Sequence, residues 1–415
     1  MNFEIGFGTG VQTFEVADKN YMGTVLPNQV QVELTGTEEV ARALKSPIES
    51  PPLRDIVKPG EKIVIITSDN TRPLPSYQIL PLLLQELEAA EVSLSDVSVV
   101  LGLGSHRPLT DSEIRKLVGD EAFSKVRCEN STPDDCVHFG KTSYGTPVDI
   151  SRTVAEADRR IALGNIEYHY FAGYSGGAKA LMPGVSTREA IQANHSRMTM
   201  AQAVAGRLED NPVRQDIEES LNFCPLDFIL NVILDEQKQI MRAFAGHPVH
   251  AHRMGCKFLD QLYLIPLEKK ADIVIASQGG APKDINLYQT QKALDNAQHA
   301  VRDRGIIILA GSCKEGLGEE VFEDWMKNSP NPESMIERIN REFQLGGHKA
   351  AAIAMILKKA DIYLVSDMDA EFVKSIFLQP FPTVQSALDA AFAKLGGGAS
   401  VLVMPYGGST LPVVE

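Results

Sequence analysis

Two kinds of apolar pattern alternate along the chain. KIVIIT (62–67), VSVVLGLG (97–104), RIALGN (160–165) and LDFILNVILDE (226–236) are continuous aliphatic runs, as expected of strands buried on both faces. Between them EEVARALKS (38–46), YQILPLLLQELEAAE (77–91), STREAIQANHSRM (186–198) and PVRQDIEESLN (212–222) repeat their apolar positions at helical spacing. Thr110 and Glu113 form a capping-box pattern, and Ser186 or Thr187 is placed to cap the helix that follows it. A second series runs through ADIVIASQGG (271–280), the helix DINLYQTQKALDNAQHAV, GIIILAG, DIYLVS (361–366) and VLVMP (401–405). Residues 1–35 alternate in FEIGF, TFEV and VQVEL, which predicts short strands in a meander or at a sheet edge.

Strand–loop–helix repetition of this kind predicts an α/β fold with mixed, largely parallel sheets. The charged, helix-breaking stretch PLEKKA (266–271) separates the two series. The expected organisation is therefore two α/β domains, 1–268 and 269–393, with 394–415 returning to the first and an active-site cleft between them. A length of 415 residues fits two cores better than one. No repeat of fixed period and no low-complexity tract interrupts the pattern.

Charge narrows the partners. A net charge of −14 argues against nucleic acid or an anionic membrane surface. The start, MNFEIGFGTG, has none of the features of a secretory signal, and no apolar stretch approaches the ~20 residues needed to span a bilayer. Cys128, Cys136, Cys224, Cys256 and Cys313 are scattered and odd in number, which suits reduced thiols in a cytoplasm. A cytoplasmic protein acting on a small molecule is the expectation.

The chemistry-bearing residues gather just after the predicted strands, where ligands of open α/β sheets bind. SDNTRPLP (68–75) presents Asp69 and Arg72, and SHRPLT (105–110) presents His106. The segment 165–198 presents His169, the glycines Gly173, Gly176 and Gly177, Lys179 and His195. AGYSGGAK is not a Walker A loop, because Ala180 follows the lysine, yet its glycines would let backbone N–H groups approach a phosphate. A lysine in such a turn reads as a nucleophile or covalent anchor, with a phosphate-binding or salt-bridged lysine as the alternative. His106 and His169 suit paired acid–base work, Arg72 a carboxylate clamp, and His195 a metal ligand. The cluster His247, His250 and His252 lacks zinc-site spacing and is expected to be a solvated helix start.

SDNTRP, GLGSHRPLT, IEYHYFAGYSGGAKALMPGV, NHSRM and DINLYQTQKAL, in this order, resemble the lactate racemase family over essentially the whole chain. The arrangement of His169, Lys179 and His195 carries the resemblance most specifically. It implies a racemase or epimerase of 2-hydroxy acids, lactate being the simplest. It further implies a nickel-pincer nucleotide, a pyridinium mononucleotide attached covalently to Lys179, with His195 on the nickel. By the same resemblance His106 and His169 are the acid–base pair, and Asp69, with Gly176 and Gly177 nearby, contacts the nucleotide. Arg72, Tyr288, Gln289 and Lys292 would hold the substrate. The cofactor-synthesis enzymes are then partners, since loading depends on them. Two other readings stay open: a Schiff-base lysine enzyme of aldolase type using Lys179 without nickel, and a non-catalytic binder of acidic metabolites.

Overall fold

The computed structural model describes residues 1–235 and 237–414. Its elements are α-helices and mixed, largely parallel sheets, the α/β class that the sequence pattern predicts. The chain divides into two compact units, Val30–Asp260 and a second made of Met1–Gln29 with Gln261–Glu415. The second unit thus takes in the N-terminal strands as well. Segment 394–415, expected to return to the first domain, also belongs to it, Glu415 lying outside the described residues. The strand Val401–Met404 pairs in parallel with Ala271–Ser277 on one side and Tyr21–Thr24 on the other.

The unit Val30–Asp260 is built on a six-stranded sheet. In sheet order its strands are Ile240–Gly246, Phe228–Leu234, Arg159–Asn165, Ile63–Ser68, Val97–Gly102 and Arg127–Asn130. All neighbours are parallel except Ile240–Gly246, which pairs antiparallel with Phe228–Leu234. Glu236, the last residue of the predicted strand 226–236, lies outside the described residues. Ile63, Ile65, Val97, Val99, Ile161 and Leu230 fill one face of the sheet, packed against Ile79, Leu80, Leu83 and Leu87 of the helix Ser76–Ala89. Chain order runs outward from Ile63–Ser68 in one direction, then restarts at Arg159–Asn165 on its other side. This is a doubly wound sheet, and its switch point lies between those two strands.

The other unit has its own six-stranded sheet, all parallel in its pairings, with Gln379–Phe381 and Tyr21–Thr24 at the edges. The expected short strands are present as Asn2–Phe7 and Gly10–Glu15, which pair antiparallel in a two-stranded sheet of their own. VQVEL does not become a strand: residues 30–34 are irregular, alternation alone providing no partner for the backbone groups. Among the described residues no helix is long and apolar enough to cross a membrane.

Candidate active site

The three neighbouring strands Arg159–Asn165, Ile63–Ser68 and Val97–Gly102 deliver the predicted polar groups at their carboxyl ends. Asp69 follows the middle strand and is buried. Its Oδ1 accepts from Thr71 N–H (3.2 Å) and Thr71 Oγ1 (2.7 Å), and its Oδ2 faces His106 Nδ1 at 2.5 Å. Burial pushes this carboxyl up, but the hydrogen bonds from His106 and Thr71 and the His106 charge outweigh it, leaving it below its ordinary value. An ionised carboxylate only accepts, so His106 Nδ1 carries the proton between them. Arg72 lies exposed on the same turn.

Loop 165–184 is held from behind by buried polar side chains. Arg214, fully buried, donates to the carbonyls of Ala172 (3.3 Å), Gly176 (3.4 Å) and Tyr174. His252 Nε2 donates to Ser175 O at 2.8 Å, and Asn231 Oδ1 accepts from Gly177 N–H at 2.8 Å. Gly176 and Gly177 have φ of 75° and 61°. A Cβ would come within 2.7 Å of Asn231 Oδ1 at Gly176 and 2.9 Å of the His252 ring at Gly177. These glycines admit the two supporting side chains. The Gly177 N–H, expected to face a phosphate, is turned inward to Asn231 instead.

Phe171 joins three of the predicted residues. Its ring meets His169 at 4.5 Å and His195 at 4.9 Å, both edge-on, and Lys179 Nζ lies 5.9 Å from its centroid. Desolvation lowers the Lys179 ammonium well below its ordinary value, and the nearby Arg214 and Arg72 push the same way. Desolvation likewise drives His169 well below its ordinary value, with Lys179, Arg72, His195 and Arg214 adding to it. His169 is therefore neutral near pH 7, and Lys179 is shifted toward the neutral amine, the nucleophilic form of lysine. The His106 and Lys179 loops are tied together, since Gly104 N–H donates to Gly184 O at 2.9 Å and Gly102 packs on Gly184.

His195 is the last residue of the helix Arg188–His195, capped by Thr187. Among the described residues no group of three or more His, Cys, Asp or Glu side chains is placed to hold a metal ion. A metal on His195 would need its other donors from a bound molecule. Tyr288, Gln289 and Lys292 belong to the other unit. On the helix Leu287–Ala297, Lys292 is exposed, while Tyr288 and Gln289 are half-buried.

Several supporting residues escaped the sequence reading. His252 was expected on a solvated helix start but is buried, and only its neighbour His250 is exposed. The signal was present: His252, Cys256 and Leu259 recur at helical spacing and are all buried. Arg214 similarly shares an apolar face with Val213 and Ile217. Phe171 and Asn231 carried no comparable mark.

Known proteins resemble this chain over nearly its whole length. The lactate racemase N-terminal domain profile matches residues 7–206, and the C-terminal domain profile matches residues 267–412. The lactate racemase of Thermoanaerobacterium thermosaccharolyticum is 34% identical, covering 99% of each chain, and that of Lactiplantibacillus plantarum is 32% identical over 95% of this chain and 96% of that one. The solved apoprotein structure of the former superposes with a TM-score of 0.90 over 99% of this chain and 100% of that one. A Thermotoga maritima protein shares the fold at a TM-score of 0.66 and 16% identity, over 92% of this chain and 100% of that one. With both domain profiles matched and full-length relatives above 30% identity, this chain belongs to the lactate racemase family.

Proposed function

We propose that this protein is an isomerase that racemises lactate and related 2-hydroxy acids, working with a nickel-pincer nucleotide attached to Lys179. The observation that carries the reading is the convergence of a carboxylate-backed histidine, a desolvated histidine and a desolvated lysine at the carboxyl ends of neighbouring strands. The residues suit the cofactor. Desolvation shifts Lys179 toward the amine form that makes a covalent bond. Asn165, at the switch point, has a buried Nδ2 with no hydrogen-bond partner among the described residues, as a polar ligand there would explain. His195 would supply the protein's ligand to nickel. When bound, the cofactor supplies a hydride acceptor for the substrate Cα.

The remaining work falls to the side chains. His106 Nε2 takes the hydroxyl proton of one enantiomer, and the Asp69 carboxylate stabilises the imidazolium that forms. His169 serves the hydroxyl of the opposite enantiomer, and its depressed basicity keeps it unprotonated. Its Nδ1 accepts from Ala172 N–H at 3.3 Å, so the neutral ring presents Nε2–H to a substrate oxygen. To act as a base it must release that contact and exchange tautomer. Arg72 would clamp the carboxylate, and Tyr288, Gln289 and Lys292 would contact the substrate.

The test is expression with the cofactor-synthesis enzymes and nickel, then incubation with single enantiomers of a panel of 2-hydroxy acids. The reading expects an added mass on Lys179 and loss of optical purity with at least one substrate. An adduct with no exchange on any substrate would overturn the reaction while leaving the cofactor. The desolvated Lys179 equally favours a Schiff-base enzyme. That reading expects no stable adduct and a mass gain only on borohydride treatment with a carbonyl substrate.

A further inference from the structure

Behind His195 lies a buried polar chain that ends on its ring. Asp216 is fully buried and accepts from Thr142 Oγ1 (2.5 Å), Thr146 Oγ1 (2.7 Å), Asn194 Nδ2 (2.8 Å) and Arg197 Nη1 (3.3 Å). Asn194, also fully buried, donates from the same Nδ2 to Val213 O at 3.2 Å. Both partners of that nitrogen are acceptors, so the amide has one permitted orientation, with Oδ1 directed away from Asp216. Asn194 Oδ1 lies 2.8 Å from His195 Nδ1. An amide oxygen only accepts, so Nδ1 must donate.

We propose that Asn194, oriented by Asp216, is a positioning residue that fixes His195 in the Nδ1–H tautomer and so commits its Nε2 lone pair to a metal. This rests on the reading of His195 as the nickel ligand for its purpose, though not for its geometry. A ligating imidazole is oriented and made more basic by the acceptor on its other nitrogen, and that partner is worth about 10- to 100-fold in metal affinity. Here the acceptor is a neutral amide, and a carboxylate stands one residue further back. Asp216 therefore acts through Asn194, without bringing a negative charge to the ring.

Two measurements decide it. Long-range ¹⁵N–¹H NMR of the cofactor-free protein, with the His195 signals identified by their loss in His195→Gln, reads the tautomer directly. Wild type is expected to show Nδ1–H, and Asn194→Leu to shift the ring toward Nε2–H. Wild type as Nε2–H, or an unchanged tautomer in Asn194→Leu, overturns the proposal. The wild-type spectrum decides even if the variant does not fold. In protein produced with the cofactor-synthesis enzymes, nickel retained per adduct under chelator challenge should fall about 10- to 100-fold in Asn194→Leu. Equal retention despite a changed tautomer also overturns the proposal. If wild type shows Nδ1–H and an adduct but holds no nickel, the tautomer control stands and the metal reading fails.

Discussion

His106 Nδ1 lies 2.5 Å from Asp69 Oδ2, so the carboxylate assigned by resemblance to the nucleotide is also the partner of the histidine proposed for acid–base work. The two come from the carboxyl ends of adjacent parallel strands, Ile63–Ser68 and Val97–Gly102. Asp69→Asn keeps the shape but replaces an acceptor with an amide that can present its NH₂ to the ring. The imidazolium then loses its stabilising charge. Racemisation in the loaded enzyme should fall by roughly 10²- to 10⁴-fold, mainly in kcat. Steady-state rates on single enantiomers check this, and a loss under tenfold would mean that the pair is structural.

The same pair predicts an acid limb in stability. The Asp69 carboxyl is lowered on folding from 3.8, so the unfolded chain binds its proton first as pH falls. Its contribution is complete above about pH 4 and disappears as pH drops through the depressed folded value. Thermal melts of cofactor-free protein should therefore fall more steeply below pH 4 in wild type than in Asp69→Asn. Parallel curves would count against this assignment.

The site was legible where chain order and space coincide. Asp69, Arg72, His106 and Lys179 each follow a recognisable buried strand, and those strands are neighbours, so strand ends alone placed them on one edge. What was not legible is the support behind them. Arg214 and His252 sit on helices that look amphipathic, and sequence shows a polar residue without showing that it faces inward. Asn231 lies within an unbroken apolar strand, and its amide matters only because Gly177 N–H arrives opposite it. The return of Val401–Met404 to the second sheet was missed for the same reason. A buried aliphatic strand does not encode which sheet it joins; pairing between Ala271–Ser277 and Tyr21–Thr24 does.

Lys179 should be a liability in the cofactor-free protein. Desolvation and the charges of Arg214 and Arg72 lower its ammonium well below 10.5, so folding requires it to give up a proton. Between the folded value and 10.5 the unfolded chain binds more protons, and this group makes stability rise with pH. Lys179→Met should therefore melt higher than wild type at pH 7, by a few °C for about 1 kcal/mol, and the advantage should shrink toward pH 10. It should also abolish the adduct and racemisation. A lower melting temperature than wild type at pH 7 would contradict the electrostatic account.

Arg214 tests whether the loop is held rigid from behind. Its guanidinium is buried and lowered on folding, chiefly by desolvation, with the Glu218 charge opposing that shift. The charge is thus an expense in itself, and what offsets it is donation to three loop carbonyls, Ala172, Tyr174 and Gly176. Arg214→Met removes the charge from the interior but leaves those carbonyls without their donor, at about 1–3 kcal/mol for each one that water does not reach. The net effect should be a loss of about 3 kcal/mol, concentrated in the loop. Amide exchange should accelerate at residues 173–180 well before the sheet Ile63–Ser68 is affected. With Lys179 no longer fixed, adduct formation should slow even at temperatures where the variant remains folded. Arg214→Lys should rescue little, since one ammonium on a flexible stem does not reproduce the planar fork reaching three carbonyls. Uniform acceleration of exchange across the unit would instead show that Arg214 supports the core and not the loop.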